Sequence, residues 1–290
     1  MTLLYDAFAF FYQLADAFAF LMLSAIGLAV IFGMMGVINL AHGEFIMCGA
    51  YTTVLTARSG VPLPLAMLLG AAVAGAVGIL VEQVIIRHLY RRLFDSIVAT
   101  WGLSLIATQT TLIVMGPSTE GLRTPFGSFT LGVYSFSVYR AVLPCVAIGL
   151  LVGLYWLFIH TAYGVRARAT IQNPDMARAL GVDTDRIYAM TFGLGAALAG
   201  LTGALYAPTM TTVPTMGSAF IVQSFVTVVV GGADILLGAG PAAAVLGIIQ
   251  TIITSSYGQL IGQIGLLLTV IVVVRLLPKG ISGFLLRNSS

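Results

Sequence analysis

The stretch AFAFLMLSAIGLAVIFGMMGVINLA at residues 17–41 decides the class of this protein, because it contains no Asp, Glu, Lys or Arg. A helix needs about 20 consecutive apolar residues to cross a bilayer, and this stretch is long enough. Five further stretches of sufficient length also lack all four charged residue types: 59–81, 96–119, 141–165, 187–233 and 235–274. We therefore predict an all-α, polytopic helical membrane protein.

The amino-acid composition supports the same class. Of the 290 residues, 59% are hydrophobic and only 8% are charged. An ordinary soluble domain is about 25% charged, because its surface faces water. The net charge of +3 is small, and the basic residues are scattered, which excludes a nucleic-acid-binding surface. The expected surroundings of the chain are a lipid bilayer.

Apolar blocks separated by helix breakers predict eight to nine membrane segments within a single transmembrane domain, 1–290. Full spans are predicted near 17–38, 61–86, 96–115, 139–160, 188–208 and 258–277. Shorter or interrupted segments are predicted near 43–58, 218–232 and 239–256.

Basic residues predict the sidedness of the chain, because short loops rich in Lys and Arg stay in the cytoplasm. Two such loops share a side, since two spans separate them. They carry Arg87, Arg91 and Arg92, and Arg166, Arg168, Arg178 and Arg186, and the tail adds Arg275, Lys279 and Arg287. We expect a cytoplasmic C-terminus, an N-terminus outside, and an outer loop at 116–138 that forms a lid or a short hairpin.

Two segments combine helix breakers with polar side chains at apparent membrane depth. They are GVINLAHGEFIMCGAY at 36–51 and PTMTTVPTMGSAFIVQS at 208–224. Each follows a full span, and the predicted topology places them in oppositely oriented halves of the chain. Broken half-helices at matching places are the pattern of an inverted repeat in transporters.

Glu44 is the sole carboxylate between Asp16 and Glu82. An ionised group at membrane depth is costly unless it is paired, solvated in a cavity or placed at a helix N-terminus. One interpretation makes Glu44 a polar anchor of a solute pathway together with Asn39 and His42. The other makes it a carboxylate that only stabilises the N-terminus of a half-helix.

Further polar and aromatic residues extend the candidate pathway. Gln223 lines the pathway or forms a helix–helix hydrogen bond, and Trp101 is an interfacial aromatic or packs under the site. The complete candidate set for the substrate pathway is Asn39, His42, Glu44, Tyr51, Trp101, Gln223 and Ser224.

The sequence gives little support to an enzymatic role. The single lysine, Lys279, lies in the tail, and a P-loop requires a lysine within its glycine-rich motif. The three histidines, His42, His88 and His160, show no metal-ligand spacing. We expect no catalytic residues, no metal and no cofactor.

The predicted cytoplasmic loop at about 161–187 contains a short helix. Asn173, Pro174 and Asp175 are typical of a helix start, and Gly181 is a suitable stop. A helix of about two turns is not stable alone, so it must dock on a partner or lie against the chain's own cytoplasmic surface.

Three motifs resemble the permeases of the branched-chain amino acid and urea ABC importers: GVINLAHGEF at 36–45, ATIQNPDMA at 169–177 and VGGADILLG at 230–238. The resemblance implies that the short helix is a coupling helix seated on the ATPase subunit. The implied coupling residues are Gln172, Asn173, Asp175, Met176, Ala177, Arg178, Ala179, Leu180 and Gly181.

The same resemblance implies the partners and the location. These are a second permease chain of a different paralogous sequence, two ATP-binding cassette subunits and an extracytoplasmic solute-binding protein. The location is a bacterial inner membrane, which the chain crosses several times.

Two further stretches, DSIVATWGLSL at 95–105 and MGSAFIVQSF at 216–225, look more like the urea and short-chain amide branch. The prediction is therefore the transmembrane permease subunit of an ABC importer that moves urea or short-chain amides inward. The alternatives are a branched-chain amino acid permease of the same family, a stand-alone channel for a small neutral solute, and a secondary transporter driven by an ion gradient.

Overall fold

The computed structural model describes residues 2–90, 92–132, 134–232, 235–277 and 280–287. Arg91 and Lys279, which contribute to the predicted sidedness, lie outside these residues. So do Ala233 and Asp234 of the third family motif.

The described residues are mainly helical. The first half of the chain forms α1 (Thr2–Met35), α2 (His42–Arg58), α3 (Leu63–Val84), a 3₁₀ turn (Ile86–Leu89), α4 (Leu93–Met115), β1 (Ser128–Leu131) and β2 (Tyr134–Ser137). The second half forms α5 (Val138–His160), α6 (Ala162–Gln172), α7 (Pro174–Ala179), α8 (Thr184–Tyr206), α9 (Met216–Gly231), α10 (Ile235–Tyr257), α11 (Gln259–Leu276) and α12 (Gly280–Arg287).

Seven helices of the described chain are long and apolar enough to cross a membrane: α1, α3, α4, α5, α8, α10 and α11. Helix α9, with 16 residues, is apolar but shorter, and α2 has 17 residues. The predicted polytopic all-α class is confirmed, and the predicted eight to nine segments are compatible with these helices.

Two details of the predicted segments differ from the structure. Helix α1 begins at Thr2, before residue 17, and its two acidic residues have partners: Tyr134 donates to Asp6 at 3.0 Å, and Arg140 donates to Asp16 at 3.3 Å. Helix α10 is a full-length helix that continues through Pro241. A proline removes one backbone donor but does not by itself end a helix inside a membrane protein.

The chain divides into two compact units. The hairpin unit comprises Met1–Ala25, Arg123–Leu151 and Gln223–Ser290, and the α2–α8 unit comprises Ile26–Leu122 and Val152–Val222. Helices α1, α5 and α9 each contribute residues to both units, because the divisions fall within these helices.

In the hairpin unit, β1 and β2 pair antiparallel, with Phe129 opposite Phe136. The hairpin packs on the first turns of α1: the rings of Phe8 and Phe136 lie 5.2 Å apart, and Tyr12 donates to the carbonyl oxygen of Ser137 at 2.9 Å. The loop at 116–138, which the sequence predicts to be outside, therefore contains a short hairpin, one of its two predicted forms.

In the α2–α8 unit, α8 packs against both α2 and α3 through small residues. A Cβ atom built on Gly49 would collide with the backbone of Gly200, and one built on Gly203 would collide with the backbone of Ile46. Close approach of backbones through glycine is how helices gain van der Waals contact where lipid removes the hydrophobic driving force. We call this α2–α8 contact the glycine seam.

Candidate functional site

The two predicted breaks lead into two short helices that begin at the same place. Residues 36–41 and 207–215 are not helical, and they precede α2 and α9. The first turns of these helices meet at Gly43 and Gly217, where a Cβ atom on Gly217 would lie 2.5 Å from the Gly43 carbonyl oxygen. The predicted broken half-helices are therefore present, whereas the inverted repeat stays a prediction.

Helix α4 holds the first break in place. The amide of Leu40 donates to Thr100 Oγ1 at 3.1 Å, and the amide of Ala41 donates to Asn39 Oδ1 at 3.0 Å. Asn39, His42 and Thr100 are fully buried. The buried Nδ2 of Asn39 has no hydrogen-bond partner among the described residues.

Glu44 lies in the first turn of α2 with its two carboxylate oxygens in different surroundings. Ser104 donates to Oε1 at 2.8 Å. Thr108 of α4 also makes a side-chain hydrogen bond to this carboxylate, and the buried Oε2 meets no other hydrogen-bond partner within the described chain. A buried carboxylate with few hydrogen-bond partners is costly, so Oε2 is suited to accept from a polar solute.

A cavity of about 420 Å³ adjoins Glu44 between α2, α3 and α4. Its polar lining consists of Glu44, Tyr51, Thr52, Thr110 and Thr111, and most of the remaining lining is apolar. This combination of a few polar groups in an apolar wall is typical of small-molecule sites.

The apolar lining comes from all three helices. It includes Phe45, Met47 and Leu55 of α2, Val77 and Val81 of α3, and Leu103, Ile106, Val114 and Met115 of α4.

The structure divides the predicted pathway residues between the two units. Asn39, His42, Glu44, Tyr51 and Trp101 belong to the α2–α8 unit, whereas Gln223 and Ser224 belong to the hairpin unit. Ser224 donates to the carbonyl oxygen of Ser24 at 2.8 Å, and Oε1 of Gln223 is buried without a partner among the described residues. Trp101 is 57% exposed, as an interfacial aromatic would be.

Sequence reasoning missed Thr100 and Ser104, which hold the first break and Glu44. A signal for them exists in the sequence: hydroxyl residues recur at every fourth position of α4, at Ser96, Thr100, Ser104 and Thr108. Residues four apart share one face of a helix, so this stripe predicts a polar face on an otherwise apolar span.

The predicted short helix of the 161–187 segment is α7. Its N-cap, Asn173, accepts from the amide of Met176 at 3.0 Å, and Gly181 beyond its end has φ +85°. Met176 and Leu180 are 59% and 78% exposed, whereas Ala177 is 2% exposed and therefore faces the chain itself. A second helix, α6, precedes α7 and was not predicted.

Charged and phenolic side chains surround the start of α8. Arg178 and Arg87 lie 3.4 and 4.0 Å from the carboxylate of Asp185. Tyr90 donates to Glu82 and stacks with Tyr188 at 4.8 Å between ring centroids. Burial raises the pKa of Tyr90, and the hydrogen bond to Glu82 raises that pKa further, so Tyr90 stays a neutral donor.

Comparison with known proteins decides the family. Residues 11–277 match the family model described as the branched-chain amino acid transport system / permease component. The chain belongs to this family.

Two curated relatives cover nearly the whole chain. The high-affinity branched-chain amino acid transport system permease protein LivH of Escherichia coli K12 is 27% identical over 279 residues, which cover 90% of each chain. The corresponding protein BraD of Pseudomonas aeruginosa is 28% identical over 279 residues, which cover 90% of this chain and 91% of the relative. No solved structure gives a significant match to the chain.

As a member of this permease family, the chain is a multi-pass membrane transport component and not an enzyme. The predicted family is confirmed at this level. These relatives are named for branched-chain amino acids, so the branched-chain alternative is better supported than the predicted urea or short-amide specificity.

Proposed function

We propose that the chain is the permease subunit of an ABC importer for branched-chain amino acids. The observation that carries this proposal is the family match over residues 11–277, together with relatives named for that substrate class. The cavity beside Glu44 supports it independently, because a carboxylate in a mostly apolar wall suits a solute with an ammonium group and an aliphatic side chain.

The cavity offers a separate group for each part of the solute. The buried Oε2 of Glu44 accepts from the solute's ammonium group. The hydroxyls of Thr110 and Thr111 are donors for its carboxylate, and Val77 and Val81 supply an apolar surface for the branched side chain. The ammonium and carboxylate groups of the solute need these partners, because an unpaired charge within a membrane is costly.

We also propose that Asn39, His42, Tyr51, Trp101, Gln223 and Ser224 belong to the pathway. Asn39 lies in the break that leads to Glu44, His42 is the first residue of α2, and Tyr51 lines the cavity. Gln223 and Ser224 lie on α9, the second short helix.

In this proposal, the ATPase subunit acts on the permease through contact with α7. The exposed apolar side chains of Met176 and Leu180 fit the groove of an ATPase subunit, as in other helix-in-groove contacts. The remaining partners are a second permease of paralogous sequence and an extracytoplasmic solute-binding protein. The residues proposed to couple to the ATPase are Gln172, Asn173, Asp175, Met176, Ala177, Arg178, Ala179, Leu180 and Gly181.

The test is uptake into proteoliposomes that contain the complete complex, with its ATPase subunits and binding protein. We expect ATP-dependent uptake of leucine, isoleucine and valine that excess unlabelled urea or acetamide does not reduce. ATP-dependent uptake of urea without uptake of leucine would overturn the substrate assignment. Uptake by the permease without ATP would indicate a channel, and dependence on a proton or sodium gradient would indicate a secondary transporter.

A further inference from the structure

A four-residue corner joins α7 to α8. Residues 180–183 connect the end of α7 at Ala179 to the start of α8 at Thr184. The amide of Val182 donates to the carbonyl oxygen of Ala177 at 3.0 Å, and the amide of Arg186 donates to Asp183 Oδ1 at 3.0 Å. The corner is therefore short and internally hydrogen-bonded, although Gly181 within it has no side chain to restrict rotation.

Arg178 reaches across this corner from α7. Its Nη2 donates to Thr184 Oγ1 at 2.7 Å and to Asp185 Oδ1 at 3.4 Å, while its Nη1 lies 3.7 Å from Asp175. A planar guanidinium presents its donors in a fixed fork. One side chain therefore contacts both helices and fixes the angle between them.

We call these contacts of Arg178 with Thr184 and Asp185 the brace. The contact with Thr184 is its stronger part. Asp185 is 60% exposed, and ion pairs between exposed side chains contribute little to stability. Thr184 is only 1% exposed, so the acceptor of this bond is shielded from water, although the Arg178 side chain is 57% exposed.

Helix α8 is also tied to two other elements. Tyr163 of α6 and Thr191 of α8 share a hydrogen bond of 2.7 Å, and Arg87 approaches Asp185 from the segment between α3 and α4. Farther along, the glycine seam joins α8 to α2, which carries Glu44 in its first turn. Closely packed elements transmit a displacement because they have no free volume in which to absorb it.

We propose that Arg178 is the positioning residue that passes a displacement of α7 to α8, and through the glycine seam to the cavity at Glu44. Without the brace, α7 pivots at Gly181 and the displacement is absorbed in the corner. This inference rests on the proposed docking of α7 on an ATPase subunit. Arg178 touches no solute, and its effect is exerted through Thr184 and Asp185.

The experiment uses the complete reconstituted complex and three variants. Arg178→Gln removes the brace, Arg178→Lys keeps one cationic donor, and Arg168→Gln is the control, because exposed Arg168 makes no ion pair among the described residues. ATPase content and basal ATP hydrolysis are measured for each variant, and the stimulation by leucine is expressed relative to that variant's own basal rate. Leucine-stimulated hydrolysis should fall about tenfold in Arg178→Gln, as for loss of a charge-assisted hydrogen bond.

The conservative variant separates positioning from general damage. Arg178→Lys should recover stimulation to within about threefold of the unmodified chain, because one donor to Thr184 is retained. Equal losses in Arg178→Gln and Arg168→Gln, or a loss in Arg178→Lys as large as that in Arg178→Gln, would contradict a specific brace.

A second measurement does not depend on the solute. Thr52, which lines the cavity, is changed to cysteine in a chain carrying Cys48→Ala and Cys145→Ala, and its rate of thiol labelling is measured with and without ATP and vanadate. We expect nucleotide to change this rate in the parent and in Arg168→Gln, but not in Arg178→Gln. An unchanged rate in the parent, or the same change in Arg178→Gln, would overturn the inference. Failure of leucine to stimulate the parent would overturn only the proposed substrate.

Discussion

Glu44 illustrates how much at this site depends on single atoms. Ser104 and Thr108 stabilise the carboxylate, and the buried Oε2 meets no other partner within the described residues. The Glu44→Gln variant keeps the shape and the bond from Ser104 but loses the negative charge. We expect normal expression and leucine uptake reduced by about tenfold or more, as for loss of a hydrogen bond to a charged group. The measurement is initial uptake rate against leucine concentration in proteoliposomes.

The matched control for Glu44 is Glu120→Gln, because the side chain of Glu120 is 94% exposed and pairs with Arg58. This variant should transport like the parent. Unreduced transport by Glu44→Ala would remove Glu44 from the pathway and leave it as a stabiliser of the α2 N-terminus.

A substitution at Gly203 tests how tightly the glycine seam is packed. An alanine methyl group at this position would collide with the carbonyl oxygen of Ile46 and lie 3.0 Å from the amide nitrogen of Ala50. Overpacking of a tight contact costs about 1–3 kcal/mol, so we expect Gly203→Ala to lower the thermal midpoint in detergent by roughly 5 °C. The control is Gly102→Ala on α4, where nothing lies within 4 Å of an added Cβ atom. Equal midpoints would show that the seam tolerates a methyl group.

At the scale of elements, substitutions on the exposed and the buried face of α7 are expected to have different effects. Ala179 is exposed, as is Leu180, whereas Ala177 is buried against the chain. We therefore expect Ala179→Glu and Leu180→Glu to insert normally but to lose ATPase co-purification and solute-stimulated hydrolysis. Ala177→Glu should instead lower the yield of folded permease, because it buries a charge within the chain. Co-purification and hydrolysis are measured for all three variants.

Leu180→Glu is included because a single substitution at Ala179 could disturb only its immediate surroundings. If both Ala179→Glu and Leu180→Glu keep full solute-stimulated hydrolysis, α7 is not the docking element, and the channel alternative gains support.

The helices were largely predictable from sequence, and the arrangement of the site was not. Uncharged stretches and breakers located the spans, because the bilayer imposes both length and apolarity. The start of α1 was missed, since the partners of Asp6 and Asp16 are more than a hundred residues away. The meeting of Gly43 and Gly217 is likewise a long-range contact, which no local pattern specifies.

Residues of the candidate site were predictable from sequence where their type is unusual in an apolar segment. Residues of common types were missed. An isolated carboxylate such as Glu44 stands out in an apolar segment, whereas Thr100 and Ser104 look like common small residues. Motif resemblance to one branch favoured urea, whereas the family relatives are named for branched-chain amino acids.

At the scale of the whole molecule, sidedness is open to a direct test. Ser128 lies in the exposed hairpin and Gln172 is exposed at the end of α6. In a chain carrying Cys48→Ala and Cys145→Ala, we expect a membrane-impermeant thiol reagent on intact cells to label Ser128→Cys but not Gln172→Cys. Gln172→Cys should become labelled after the membrane is opened. The reverse pattern would invert the predicted topology.

The position of α8 along the chain has a consequence for biosynthesis. Helix α8 closes the α2–α8 unit against α2 and α3, yet it ends at Tyr206, roughly 120 residues after α3 ends at Val84. A ribosome adds about 5–20 residues per second, so α2 and α3 wait on the order of ten seconds for this partner. During that interval, the backbone surfaces that later form the seam face lipid or the insertion machinery. Nascent chains stalled before α8 are therefore the form of this protein most exposed to membrane proteases, and pulse-chase labelling of chains truncated before and after α8 would measure that vulnerability.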